Sequence, residues 1–200
     1  MIAVPHVDAL EEEEPLQMSG EDYLAFEEAA ETKHEYDFGW VYAMAGASEE
    51  HNVISLNIAA ELRAQLRGKP CRAYMADLKC KTAVAKSTNY YYPDVMVACD
   101  PTDKERYWRE RPTVVFEVLS RSTRRLDEHK FLTYQQNPAL RFYLLVSQEK
   151  MFVRVMRRAG EEWLYEELRS SSDVLKLDAI GCELSLAQIY EGVTFAGPSR

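Results

Sequence analysis

The sequence predicts a mixed α/β domain in which helices and strands alternate along the chain. Two short runs, Tyr90-Tyr91-Tyr92-Pro93-Asp94-Val95-Met96-Val97 and Val114-Val115-Phe116-Glu117-Val118-Leu119-Ser120, are β-branched and aromatic, long enough for a strand and too short for a helix. From about Glu49 to Leu66, by contrast, Ile54, Ile58 and Leu62 recur at spacing four, the apolar stripe of a helix packed on a sheet. Two hundred residues, 46% of them hydrophobic, are enough for one well-cored domain, and no linker-like stretch divides them.

Taken in order, residues 1–17 contain Glu11-Glu12-Glu13-Glu14-Pro15, a like-charge run that repels itself and has little to bury. They are expected to form an acidic, flexible N-terminal arm ahead of a single domain over 18–200. Ser19 followed by Asp22 reads as a capping box that opens a helix to about Ala30. Glu35 to Ala43 reads as a hairpin with Gly39 in its turn, and the helix over 49–66 stops at Gly68. Cys71 to about Val84 and Tyr90 to Ala98 supply the next strands, separated by the polar Lys86-Ser87-Thr88-Asn89, and Asp100-Pro101-Thr102-Asp103 marks a loop. After the Glu117 strand, Arg121 to Leu126 is a polar connection, and Asp127 caps a helix that runs to about Asn137, where Pro138 ends it. Phe142 to Val146 is a buried strand, and Phe152 to Met156 with Trp163 to Leu168 forms a hairpin turning at Gly160.

Composition excludes several function classes. No stretch approaches the ~20 apolar residues of a membrane-spanning helix, and the acidic start lacks the basic-then-apolar layout of a signal peptide, so a cytoplasmic location is expected. Cys71, Cys80, Cys99 and Cys182 form no Cys-x-x-Cys pair and are read as reduced, buried thiols. The four histidines are scattered without a His-Glu-x-x-His, which argues against a zinc hydrolase; His51 and Asn52 are read as capping and packing residues at a helix start. No Gly-x-Ser-x-Gly supports a serine hydrolase. The net charge of −9 argues against a broad nucleic-acid surface, because Lys and Arg supply most phosphate affinity. The basic residues nevertheless bunch in Arg121-Ser122-Thr123-Arg124-Arg125 and Arg154-Val155-Met156-Arg157-Arg158, the first directly after the Glu117 strand.

Asp94 and Glu117 each place a carboxylate in an otherwise apolar element, and such a group is costly to bury without a partner. Two acids converging from neighbouring strands would make an oxygen-rich site of the kind Mg²⁺ prefers. A structural ion pair of Glu117 with Lys130 or Arg124 is the competing reading, and Asp77, between Ala76 and Leu78, is either a buried polar contact or a ligand.

Pro93-Asp94 followed by the Glu117 strand resembles the signature of PD-(D/E)XK nucleases, and the wording is closest to the Uma family of restriction endonucleases. The resemblance runs from about Met18 to Tyr190, through Met18-Ser19-Gly20-Glu21-Asp22-Tyr23-Leu24, Lys33-His34-Glu35-Tyr36, Met75-Ala76-Asp77, Tyr92-Pro93-Asp94-Val95, Glu117-Val118-Leu119-Ser120-Arg121-Ser122-Thr123 and Lys130-Phe131-Leu132-Thr133-Tyr134. It implies a restriction-endonuclease-like mixed β-sheet core flanked by helices. It also implies a Mg²⁺- or Mn²⁺-dependent endonuclease acting on DNA, with Asp94, Glu117 and the carbonyl of Val118 as metal ligands and Glu35 as a helper. The superfamily's lysine belongs two residues after the second acid, where this chain has Leu119, and the resemblance points to Lys130 as its replacement. Arg121 stands where the family more often has proline. Ser120, Arg121, Ser122 and Arg124 are the candidates for substrate phosphate, and cleavage of both strands would suit a homodimer. Two alternatives stay open: a nuclease scaffold that serves as a non-catalytic binding or assembly module, and a metal-dependent hydrolase of a small phosphorylated substrate.

Overall fold

A computed structural model describes residues 16–44, 46–85, 87–120 and 124–195, with the side chains of 124–126 outside the description. Strand β1 (Leu16–Gln17), the end of the expected arm, pairs with Trp40 and Val41; residues 1–15 lie outside the described residues. Helix α1 (Gly20–Ala29) begins where its sequence places it, Ser19 accepting the Asp22 N–H. Strands β2 (His34–Asp37) and β3 (Trp40–Ala43) form the expected hairpin, turning through Phe38 and Gly39 at positive φ. Helix α2 (Glu49–Gln65) is capped by Ser48 and buries Ile54, Ile58 and Leu62.

Two segments read as continuous strands are each broken in half. The first divides at Ala76, whose φ of 55° makes a turn between β4 (Arg72–Met75) and β5 (Lys79–Val84). The second divides at Pro93, between β6 (Ser87–Tyr91) and β7 (Val95–Ala98). Proline lacks the N–H that a ladder needs, so the chain leaves one sheet there and enters another. The polar Ser87-Thr88-Asn89, expected as a connection, starts β6 instead; buried Asn89 earns its place by accepting the Phe38 N–H at 2.7 Å.

The chain continues through β8 (Trp108–Arg109), β9 (Pro112–Leu119), α3 (Arg124–Tyr134), β10 (Phe142–Ser147), β11 (Val153–Ala159), β12 (Glu162–Leu168), β13 (Val174–Leu177), β14 (Cys182–Ser185) and the short α4 (Leu186–Ile189). One six-stranded sheet has the order β1-β3-β2-β6-β5-β8 and the other β12-β11-β10-β9-β7-β4, with β13 and β14 as a separate pair. In the second sheet β9 and β10 run parallel while the other neighbours are antiparallel. One face of that sheet, carrying Val114, Phe116 and Val118, packs on Ile54, Ile58 and Leu62 of α2. The opposite face, carrying Val115 and Leu119, packs on Phe131 and Tyr134 of α3 and on Cys80 and Tyr91 of the first sheet.

Two corrections follow. Helix α3 starts three residues before Asp127, which is therefore a buried first-turn residue and not the cap. It ends at Tyr134, and Arg158 gathers the carbonyls beyond it, donating to Gln135, Asn137 and Leu140 at 2.6, 2.9 and 2.8 Å. Cys71 and Cys99 are also not thiols but a disulfide. The reason is register: Arg72 pairs with Ala98 across β4 and β7, so the next residues outward are brought to a Cα separation of 3.9 Å. Cys80 and Cys182 are buried thiols, as expected. Among the described residues, no helix is long and apolar enough to cross a membrane.

Candidate active site

Antiparallel register brings the two acids together. β7 and β9 pair Val97 with Val114, Met96 with Val115 and Val95 with Phe116, so one further step sets Asp94 opposite Glu117. Asp94 stands in the bend just ahead of β7 and not inside the strand as expected, because Pro93 turns the chain out of the ladder. Its carboxylate substitutes for the missing rung: Oδ2 accepts the Val118 N–H at 2.6 Å.

Alternation along β9 aims Glu117 at the α3 face, between Val115 and Leu119. Its side chain is 3% exposed, and Oε1 has no hydrogen-bond partner among the described residues. Leu119, at the position of the expected lysine, is part of the apolar packing against Phe131. An amine enters the neighbourhood from α3, the helix laid over that face. Lys130 Nζ lies 2.9 and 2.8 Å from the two carboxylate oxygens of Glu35, 3.1 Å from Asp127 Oδ1 and 3.9 Å from Glu117 Oε1. Glu35 is fixed from the other side by the Tyr92 N–H at 3.0 Å, and the Lys130 ammonium lies 5.6 Å from the centre of the Tyr91 ring.

Among the described residues, three buried carboxylates thus share one buried ammonium. Burial raises the Glu117 carboxyl well above the ordinary carboxylate range, with Lys130 opposing the shift and Asp127, Asp94 and Glu35 adding to it. Glu35 is raised for the same first reason, against the pull of Lys130. Burial opposes the charge on Lys130, but Glu117, Glu35 and Asp127 outweigh it and hold the ammonium well above its usual range. Among the described residues the cluster is short of positive charge, and either protons or a cation can supply it. A divalent ion fits the donors: hard carboxylate oxygens, one of them without a hydrogen-bond partner among the described residues, beside a solvent-reachable Asp94 that is 20% exposed. Among the described residues, no three potential ligands already converge on one point. Asp94, Glu117 and the main-chain carbonyl of Val118 are the groups that could hold the ion.

Two members of this neighbourhood escaped the sequence reading. Asp127 looked like a helix cap and is instead a third carboxylate on Lys130. Ser48, not His51 or Asn52, is the cap of α2, its Oγ accepting the His51 N–H, and the His51 ring reaches the site, with Nε2 3.3 Å from Asp94 Oδ2. Burial pulls the His51 pKa down, yet the Asp94 carboxylate and the backbone of Val118 more than offset this and leave it raised. A lone histidine 43 positions from Asp94 carries no sequence signal beyond its place in the first turn of α2. Asp77 is not part of the cluster; it is exposed and paired with Lys33. Ser120 directly follows β9, while Arg121, Ser122 and the Arg124 side chain lie outside the described residues. The second basic cluster is dispersed: Arg154 pairs with Glu128 and Glu167, and Arg158 faces the end of α3.

Known proteins resemble the chain over most of its length. The family profile described as Uma2, "Putative restriction endonuclease", matches residues 21–188. The uncharacterized protein slr1290 of Synechocystis sp. (strain ATCC 27184 / PCC 6803 / Kazusa) is 38% identical over 182 residues, covering 90% of this chain and 94% of the relative. The uncharacterized protein sll1609 of the same strain is 32% identical over 156 residues, covering 76% and 87%. A crystal structure described as a putative nuclease belonging to DUF820 from Anabaena variabilis ATCC 29413 superposes with a TM-score of 0.71 at 14% identity, covering 88% of this chain and 99% of that one. That likeness shows the nuclease-type fold, a mixed sheet core flanked by helices. With the profile spanning most of its length, this chain belongs to the Uma2 family.

Proposed function

We propose that the chain is a Mg²⁺- or Mn²⁺-dependent endonuclease that hydrolyses DNA phosphodiester bonds, acting as one domain over 18–200. The observation that carries this is the buried charge imbalance among the described residues: Glu35, Glu117 and Asp127 around Lys130, with Glu117 Oε1 lacking a hydrogen-bond partner there. Asp94, Glu117 and the Val118 carbonyl would hold the ion, which when bound polarises a phosphate oxygen and lowers the pKa of a coordinated water.

The protein groups divide the remaining work. Lys130 stays an ammonium, so it is suited to stabilise developing negative charge and unsuited to act as a base. Glu35 and Asp127 position it, each through a direct contact with Nζ. Ser120, Arg121, Ser122 and Arg124, at or just beyond the end of β9, would take flanking phosphates as charge-assisted donors. Cutting both strands of a duplex would suit a two-fold dimer.

The test is calorimetric titration of Mn²⁺ into the native chain and into Asp94→Ala and Glu117→Ala. The reading expects binding in the native chain and its loss in both variants; unchanged binding in both would remove these acids as the ligands. A second reading, a scaffold without catalysis, draws on Lys130 being already engaged by Glu35 and Asp127. It expects DNA binding that neither needs metal nor ends in cleavage.

A further inference from the structure

His51 stands at a position that neither the motif nor the fold required. It projects from the first turn of α2, the helix on the face of the sheet opposite α3, while Glu117 projects toward α3. The β7 ladder has ended at Val95 and Phe116, so the edge of β9 at Val118 meets Asp94 and His51 in place of a neighbouring strand. Asp94 and His51 are 20% and 17% exposed and form the rim of the site; Glu117, at 3%, is its floor.

The separation of the rim atoms is informative. Two donors on one ion, each ~2.0–2.2 Å from it and at an angle of about 90–109°, lie roughly 2.8–3.6 Å apart. Nε2 of His51 and Oδ2 of Asp94 are 3.3 Å apart, inside that interval. Glu117 Oε1, on the residue next to Val118, is buried and without a hydrogen-bond partner among the described residues.

We infer that His51 is itself a metal ligand, giving the site an imidazole nitrogen beside the oxygens of Asp94, Glu117 and Val118. This rests on the reading of Asp94 and Glu117 as ligands and adds selectivity to it. Nitrogen favours transition ions over Mg²⁺, because imidazole is a softer donor than carboxylate or water and affinities rise along the first-row series. The imidazole therefore shifts the preference of the site away from Mg²⁺ and toward Mn²⁺ and the later first-row divalent ions.

The experiment is pulsed electron paramagnetic resonance of Mn²⁺ bound to the full chain, paired with calorimetry on the native protein, His51→Ala and Asp94→Ala. The native complex is expected to show ¹⁴N modulation from a directly bound imidazole. His51→Ala is expected to keep the Mn²⁺ site, lose that modulation and bind Mn²⁺ about 10- to 100-fold more weakly, with a smaller change for Mg²⁺. Bound Mn²⁺ without ¹⁴N coupling, or His51→Ala binding as tightly or more tightly than the native chain, overturns the inference while leaving the carboxylate site standing. Absence of Mn²⁺ binding in the native chain overturns both.

Discussion

The carboxylate of Asp94 accepts the Val118 N–H at 2.6 Å, a side chain filling the rung that Pro93 removes from the ladder between β7 and β9. The second acid is the adjacent residue on β9, so the bond that closes the sheet edge also sets the spacing of the candidate ligands. Asp94→Asn keeps an oxygen that can accept from Val118, whereas Asp94→Ala does not. The alanine variant is expected to lose about 1–3 kcal/mol of stability and the asparagine variant less, read by urea unfolding without metal.

Glu117 gives the chain a distinctive pH dependence. Its carboxyl is raised in the folded state, so its contribution to stability is complete below the ordinary glutamate pKa of ~4.3 and declines as pH rises through the folded value. Glu117→Gln removes that decline. In EDTA the variant is expected to gain over the native chain as pH increases from about 5 to about 8, measured as a widening difference in Tm. A constant difference across that range would contradict the assignment.

Metal binding is expected to expel protons. Burial shifts Glu117 toward its protonated form, so calorimetry in buffers of different ionisation enthalpy should report proton release on Mn²⁺ binding where that form is populated, and apparent Mn²⁺ affinity should increase with pH.

Lys130 is the group the cluster can least spare. Lys130→Met leaves Glu35, Glu117 and Asp127 without their buried cation and is expected to cost about 3–5 kcal/mol. The loss should shrink in mild acid, where the carboxylates take up protons, as denaturant titrations at two pH values would show.

The disulfide between Cys71 and Cys99 closes a loop of sequence separation 28. Loop-closure entropy assigns it ~3–4 kcal/mol. Reduction, or the double change to serine, is expected to lower Tm by roughly 6–16 °C in a thermal scan.

Apolar periodicity was enough to locate α2, the hairpin at Gly39 and the hairpin at Gly160, because each is specified by a few residues that lie together in the chain. It could not show that Tyr90 to Ala98 changes sheets at Pro93, since both halves are equally apolar and only the backbone chemistry of one residue separates them. Of the site, Asp94 and Glu117 were legible as acids in apolar runs, and Lys130 and Glu35 through family resemblance. Asp127 and His51 were not, because a first-turn residue has an ordinary helical explanation and their meeting with Lys130 and Asp94 depends on packing between distant elements. Disulfide pairing was hidden for the same reason: it follows from the register of β4 on β7, which cysteine spacing does not encode.

The carboxylates of the cluster are recruited from across the molecule, Glu35 from the first sheet, Glu117 from the second and Asp127 from the helix over it. No single layer contains the site, so it exists only while the layers are docked. The Lys130 ammonium, touching Glu35, Glu117 and Asp127, acts as the cross-link between them, and Lys130→Met should be felt as faster amide exchange in β2 and β9 alike, far apart in sequence and on separate sheets.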